Sequence, residues 1–251
     1  IAIASGIDWI ATDEDILFNT LASYDKRYHE KPKLFDRRII YQPYRFKRES
    51  RHLTIIFRDK NLSDMISFSY NSWDPARAAH DLTGHFRTVS ENLRRDTDSG
   101  LLTIAMDGEN AWEYYEDNGR RFFETLYSNL ENKDAPFEST TISGYLGVYP
   151  PRVTIANIFP GSWIDHNFNI WIGEEQDNIS WSYLDRVRKD LARFTKELHK
   201  SGSPDGESVR KAWRELYIAE GSDWNWWYAG KARSGERNPF DALYRTHLRN
   251  V

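Results

Sequence analysis

Residues 101–115, LLTIAMDGENAWEYY, constrain this chain more than any other stretch. They open as an apolar run suited to a buried strand, break at Asp107-Gly108-Glu109-Asn110, and resume as a helical pattern from Trp112. A carboxylate at the carboxyl end of a buried strand, followed by glycine and a helix, is a common layout of an α/β enzyme site. Two acidic residues two apart at such a mouth suit acid/base chemistry or binding of a polyhydroxylated ligand. A solvated strand-to-helix turn with a capping aspartate uses the same residues, and spacing alone slightly favours that plainer reading.

A second segment shifts the balance. Residues 7–17, IDWIATDEDIL, form another apolar run that ends in carboxylates, Asp13, Glu14 and Asp15. Side chains alternate faces along a strand. In the later run Leu102, Ile104 and Met106 share one face, and Thr103, Ala105 and Asp107 the other. In the earlier run Ile7, Trp9 and Ala11 share a face, with Thr12 and Glu14 opposite. If bulky apolar residues pack outward against helices and the smaller, polar series points into a barrel, parity selects Glu14 over Asp13 as the inward partner of Asp107. A turn beginning at Thr12 would break that parity.

TDE after a Trp-bearing strand, followed much later by DGENAWEYY, resembles glycoside hydrolase family 57. Two further stretches resemble it in the expected order, GSWIDHNFNIWIG at 161–173 and AEGSDWNWWY at 219–228. The resemblance implies a retaining, double-displacement glycoside hydrolase of the α-amylase/amylopullulanase type. It would act on α-glucans through α-1,4 or α-1,6 linkages, with Glu14 as nucleophile and Asp107 as general acid/base. The implied fold class is α/β. Residues 1–135 would form part of an incomplete (β/α)7-type barrel carrying the carboxylates, and residues 136–251 a loop-rich and helical region completing the cleft. The strongest boundary in the sequence itself lies at 136–160. Sugar contacts are expected from Trp9, Asp13, Arg58, Asp59, Glu109, Trp112, Trp163, Asp165, Asp223 and Trp224. For Arg58-Asp59 a structural ion pair is an equally good reading, since such pairs are common. His166 is a further possible hydroxyl contact.

The chain also departs from the family pattern. The family's two earliest motifs lie upstream of the nucleophile, whereas this chain starts at Ile1, not Met, close before Glu14. It therefore resembles the carboxyl-terminal part of the catalytic region. Ala229-Gly230-Lys231-Ala232-Arg233 stands where relatives often carry Asp-Asp-His-Ser. These departures keep two glucan-active alternatives open: a non-catalytic α-glucan-binding fragment, and a 4-α-glucanotransferase or branching activity. A third reading, from another class, is a helical interaction protein whose carboxylates are caps.

The expected partner is an α-glucan polysaccharide or oligosaccharide, and composition narrows the rest. Net charge is −4, so no global attraction to nucleic acid is expected. There is no cysteine, which excludes disulfides and thiolate metal sites. No apolar run reaches the roughly 20 residues needed to span a bilayer. The start, IAIASGID, lacks the marks of a signal peptide, leaving cytoplasm as the default. His80 and His85 stand five apart, the wrong spacing for a helical zinc motif. No phosphate loop or nucleotide fingerprint appears, so neither cofactor nor metal is expected. The sequence does not indicate an oligomeric state.

Aromatics make up 15% of the chain, with 10 Trp. Sugar rings stack on flat aromatic faces, and Trp and Tyr offer rigid area with a polar tip. Trp213 and Tyr217, with Trp181, Leu184, Leu191 and Phe194, read as buried helical stripes. Trp224, Trp226 and Trp227 beside Gly221-Ser222-Asp223 read instead as a loop, with at least one ring lining a cleft. Strands are predicted at 7–12, 53–57 and 101–106. Helices are predicted at 14–21, 61–68, 75–94, 112–130, 180–199, 208–219 and 239–250, the third capped by Asp74 or Ser72 before Pro75. Residues 34–41 are mixed, 140–146 read as extended, and 150–173 as long loops.

Overall fold

The computed structural model describes residues 2–25, 37–95, 99–109, 111–201, 206–228 and 239–251. Asn110, the segment 229–233 and the 202–204 helix stop lie outside the described residues. The chain divides into two compact units, Ile1–His166 and Asn167–Val251. Residues 136–166, grouped by the sequence with the carboxyl-terminal region, therefore belong to the first unit.

That unit is built on four strands in the order β1-β3-β2-β4, with β1 Trp9–Asp13, β2 Tyr44–Arg48, β3 Arg51–Arg58 and β4 Val153–Ile155. β1 pairs parallel to β3, β2 antiparallel to β3, and β4 parallel to β2. A (β/α) barrel is built from parallel strands. Here, among the described residues, the strands form a mixed sheet instead. The reason is local: Arg48 faces Arg51 across a two-residue turn containing Glu49 at φ 56°, and so short a link joins only antiparallel strands. β2 and β4 are not among the predicted strands, although YRFKR alternates Tyr44 and Phe46 with Arg45 and Lys47; at five and three residues both are too short to stand out from their loops.

β3 carries the strongest strand signal, and it is buried from Leu53 to Arg58. Its apolar run covers both faces, as expected for a central strand. Ile55 and Phe57 pack with Ile16, Leu17 and Phe18 of helix α1, Glu14–Ala22, while Ile56 packs with Leu101 and Tyr145 on the other side. A third cluster joins α2, Lys60–Asp64, and its continuation Met65–Ser69 to α3, Pro75–Leu93, and α4, Arg120–Leu130. Asp74 caps α3 by accepting from Arg77 N at 2.9 Å, with Pro75 in the first turn.

Three expectations fail in this unit. Residues 101–106 carry no strand ladder; their polar backbone groups find single partners, as detailed below. The helix predicted from Trp112 is broken: short 3-10 turns at Trp112–Tyr114 and Glu116–Gly119 precede α4. Asp117, Asn118 and Gly119 all take left-handed φ, and an added Cβ on Gly119 would sit 2.6 Å from the Trp112 ring. Residues 140–146 are largely helical, α5 Ile142–Val148, because the Thr141 hydroxyl accepts from Gly144 N and caps a turn that its β-branched neighbours disguise as strand.

The second unit packs helices α6 Glu175–Lys200, α7 Glu207–Ala219 and α9 Pro239–Asn250 around Leu184, Leu191, Ala212, Leu216 and Tyr244. The tryptophan-rich stretch is not a loop but a short helix, α8 Asp223–Tyr228. No helix among the described residues is long and apolar enough to cross a membrane.

Candidate active site

The TDE segment sits where β1 turns into α1. Asp13 ends the strand with extended backbone (φ −79°, ψ 148°) and its Oδ1 accepts from Asp15 N at 3.0 Å, so it caps the helix. Glu14 is already helical. The strand alternation thus stops at Asp13, and the first turn of α1, not parity, sets the direction of Glu14.

The two neighbouring carboxylates have different surroundings. Asp13 is fully buried, and its Oδ2 accepts from Arg58 Nε at 2.7 Å. Glu14 keeps 7% of its side chain exposed, beneath an Arg37 side chain that is 39% exposed. Arg37 donates to both oxygens, Nη1 to Oε1 at 3.2 Å and Nη2 to Oε2 at 2.9 Å. Lys60 N, at the start of α2, donates to Oε2 at 3.0 Å. Arg37 Nη2 also lies 3.4 Å from Asp59 Oδ2.

Asp59 is buried and serves two elements. Its Oδ1 caps α2 by accepting from Leu62 N at 3.0 Å, and its Oδ2 accepts from Tyr41 OH at 2.7 Å. Burial pushes the Glu14 carboxyl above the ordinary carboxylate range. Arg37 and the Lys60 N–H pull it down and Asp59 adds to the rise, leaving burial dominant. Burial also opposes the charge on Arg37, but Glu14 and Asp59 outweigh it, so the guanidinium stays protonated. Tyr41 is pushed up by burial and by Asp59, so it remains a neutral donor.

Arg58 joins this layer to the DGEN segment. Besides Asp13, it reaches Asp64 at 3.2 Å and donates from Nη1 to Ala105 O at 3.1 Å, two residues before Asp107. The same segment is held by Leu101 N to Tyr41 O, Asp59 N to Thr103 O, and Ala105 N to Ser63 Oγ. Residues 101, 103 and 105 thus turn their polar groups to one side without forming a ladder. Asp107 follows, half-buried, and Gly108 and Glu109 are exposed.

A loop from the end of the unit closes over Arg58. Tyr24 OH accepts from Ala156 N and Asn157 N, and Phe159 N donates to Thr20 Oγ1, docking the loop on α1. Trp163 then lies with its ring 5.0 Å from the Arg58 guanidinium. Asp165 and His166 take left-handed φ of 49° and 57°. His166 Nε2 lies 3.3 Å from Asp15 Oδ2, which also pairs with Lys60 Nζ at 2.8 Å. Ligand atoms of Asp13, Asp15 and His166 come within 4.8 Å of one another. Arg58 and Lys60 already neutralise those two carboxylates, which makes the group an ion-pair cluster.

The structure therefore brings together Asp13, Glu14, Arg58, Asp59 and Trp163, and ties the Asp107 segment to them through Ala105. Glu109 and Asp165 are exposed. Trp9 packs against the cluster of Ile56, Leu101 and Tyr145, and Trp112 against Tyr115, Phe122 and Phe123, so both hold the fold. Asp223 and Trp224 belong to the second unit, where Trp224 packs on Tyr244, Phe240 and His247. Arg37, Tyr41 and Lys60 were missed. Arg37 and Tyr41 fall in a stretch without periodicity, and no local signal marks them. A groove of about 900 Å³ lined by Phe86, Leu93, Thr103 and Tyr149 contains none of these carboxylates.

The family model described as glycosyl hydrolase family 57 matches residues 1–157, a span that includes Asp13, Glu14, Asp59, Asp107 and Glu109. The chain belongs to glycosyl hydrolase family 57. No curated protein matches this family 57 chain by sequence. Among solved structures, it is similar to the GH57-type branching enzyme of Pyrococcus horikoshii, with a TM-score of 0.67 and 13% identity over 98% of this chain and 48% of that one. It is also similar to a GH57 branching enzyme of Thermococcus kodakaraensis, solved with glucose and additives. There the TM-score is 0.63 and the identity 15%, over 84% of this chain and 45% of that one. A 4-alpha-glucanotransferase of Thermococcus litoralis aligns with a TM-score of 0.43 and 14% identity, over 75% of this chain and 24% of that one. The chain thus spans less than half the length of each. The likeness to the two branching enzymes shows an α/β fold shared with family 57 enzymes.

Proposed function

We propose that this chain carries the reacting carboxylates of a retaining glycosidase acting on α-glucans, with Glu14 as nucleophile and Asp107 as general acid/base. One observation supports the reading: of two adjacent buried carboxylates, Asp13 is sealed between Arg58 and a helix N-terminus, whereas Glu14 keeps 7% of its side chain exposed and is covered by Arg37, whose side chain is 39% exposed. A nucleophile needs that access, and a structural cap does not.

Glu14 would attack the anomeric carbon while the glycosidic C–O bond breaks. The bonding electrons pass to the leaving oxygen, and Asp107 supplies its proton. Asp107 then takes a proton from the incoming acceptor, which attacks the glycosyl ester and frees Glu14. Water as acceptor gives hydrolysis, and a glucan hydroxyl gives transfer. Glu109, exposed beside Asp107, would orient sugar hydroxyls, and Trp163 would offer a ring face at the same layer.

Proton NMR of maltooligosaccharides incubated with the chain tests this reading. The first product formed should be the α-anomer, and a β-anomer would overturn retention. Glucan binding by calorimetry with no turnover would replace the proposal with a non-catalytic binding module.

A further inference from the structure

We propose that Arg37 is the positioning residue of the nucleophile: its guanidinium, shared by Glu14 and Asp59, presents Oε1 of Glu14 for attack and passes to Asp59 alone once Glu14 is esterified. The proposal rests on the assignment of Glu14 above.

Lone-pair accounting selects the oxygen. A carboxylate oxygen has about two acceptor sites. Oε2 of Glu14 fills both, with Arg37 Nη2 at 2.9 Å and Lys60 N at 3.0 Å. Among the described residues Oε1 receives only Arg37 Nη1, at the longer distance of 3.2 Å. Oε1 therefore keeps a lone pair for the anomeric carbon, while Oε2 is held by backbone and side chain together. The planar fork of arginine fixes the carboxylate plane through two parallel bonds, which the point charge of lysine cannot do.

Charge accounting explains why a second carboxylate sits beside the pair. Glu14, Asp59 and Arg37 together carry one net negative charge, available for attack. When Oε1 bonds to the sugar, the leaving oxygen departs with the bonding electrons and the proton of Asp107. Glu14 is then a neutral ester. Arg37 is left with Asp59, already 3.4 Å away, as a matched ion pair. Without Asp59 a partly buried cation would lose its partner in the intermediate, which would favour the reverse step. Asp59 is fixed for this role by Tyr41 OH on Oδ2 and Leu62 N on Oδ1. Among the described residues, Arg58 is paired with Asp13 and Asp64, and Lys60 with Asp15.

The test combines a titration with a trapping rate in the whole chain. Carboxyl carbon NMR would follow Glu14, its signal identified by loss in Glu14→Gln, in wild type and in Arg37→Gln, Arg37→Lys and Asp59→Asn, each checked for folding by thermal melt. Glu14 should titrate at higher pH in Arg37→Gln, at lower pH in Asp59→Asn, and near wild type in Arg37→Lys. A fluorinated glucosyl fluoride would trap the ester, located by mass spectrometry. Its formation in Arg37→Lys should slow by about a hundredfold, because charge is kept and geometry is lost. An unmoved titration in Arg37→Gln, or trapping in Arg37→Lys within twofold of wild type, would overturn the proposal while Glu14 remains the labelled residue. A label elsewhere, or none in wild type, would instead overturn the nucleophile assignment on which it rests.

Discussion

Arg58 Nε donates to Oδ2 of Asp13 at 2.7 Å, and both side chains are buried. The same guanidinium bonds Ala105 O, so one residue holds the β1–α1 junction and the segment leading to Asp107 in a common frame. Removing one partner of a buried pair strands the other, which costs about 3–5 kcal/mol. Arg58→Met should therefore lower stability by that amount in urea denaturation. Asp13→Asn in the same background should recover part of the loss; a further fall would mean that Asp13 is held by its capping bond alone.

The two proposed catalytic carboxylates should differ in kinetics. Glu14→Gln keeps shape but removes the nucleophile, so α-glucan turnover should drop by several orders of magnitude. Asp107→Asn should be severe on glucans but milder on substrates whose leaving group needs little protonation. Added azide should partly restore that variant, since it attacks the glycosyl-enzyme without a general base. Near-wild-type turnover by Glu14→Gln would remove Glu14 from the role.

Glu14 also bears on stability, with a definite sign. Its pKa in the folded protein is raised above the ordinary value of 4.5, chiefly by burial. A group raised on folding contributes stability that is present below its unfolded pKa and lost as pH rises through its folded pKa. Glu14→Gln should thus match wild type in melting temperature below about pH 4 and exceed it at neutral pH. A variant less stable than wild type at neutral pH would show that the Arg37 pair outweighs burial.

Trp224 and Trp226 should separate folding from binding. Trp224 is half-buried against Tyr244, Phe240 and His247 and donates from Nε1 to Ile218 O. Its replacement by alanine should cost about 3 kcal/mol. Trp226 is 41% exposed. Trp226→Ala should weaken maltooligosaccharide binding in calorimetry with little change in the melt. Unchanged affinity would leave α8 without a sugar-binding role.

Some of this protein is written into short stretches of sequence. Asp74-Pro75 marks the start of α3, LTIIF marks the central strand, and Asp13 closes a strand and caps a helix within three residues. Such signals are local, because a cap or an apolar period is satisfied by neighbours in the chain. The family motifs are legible for the same reason, since TDE and DGEN are each a run of consecutive residues, the first spanning the β1–α1 junction. Tertiary structure alone decided the rest. Arg37 meets Glu14 from 23 positions away, and Arg58 reaches Asp13 across 45. Residues 101–107 look like a strand because they are apolar, yet Ser63, Arg58 and single backbone bonds satisfy them in place of a ladder. Glu14 and Asp13 are adjacent and chemically alike in sequence. Only the packed chain separates them, sealing one carboxylate against a buried cation and leaving the other beneath a guanidinium that water can reach.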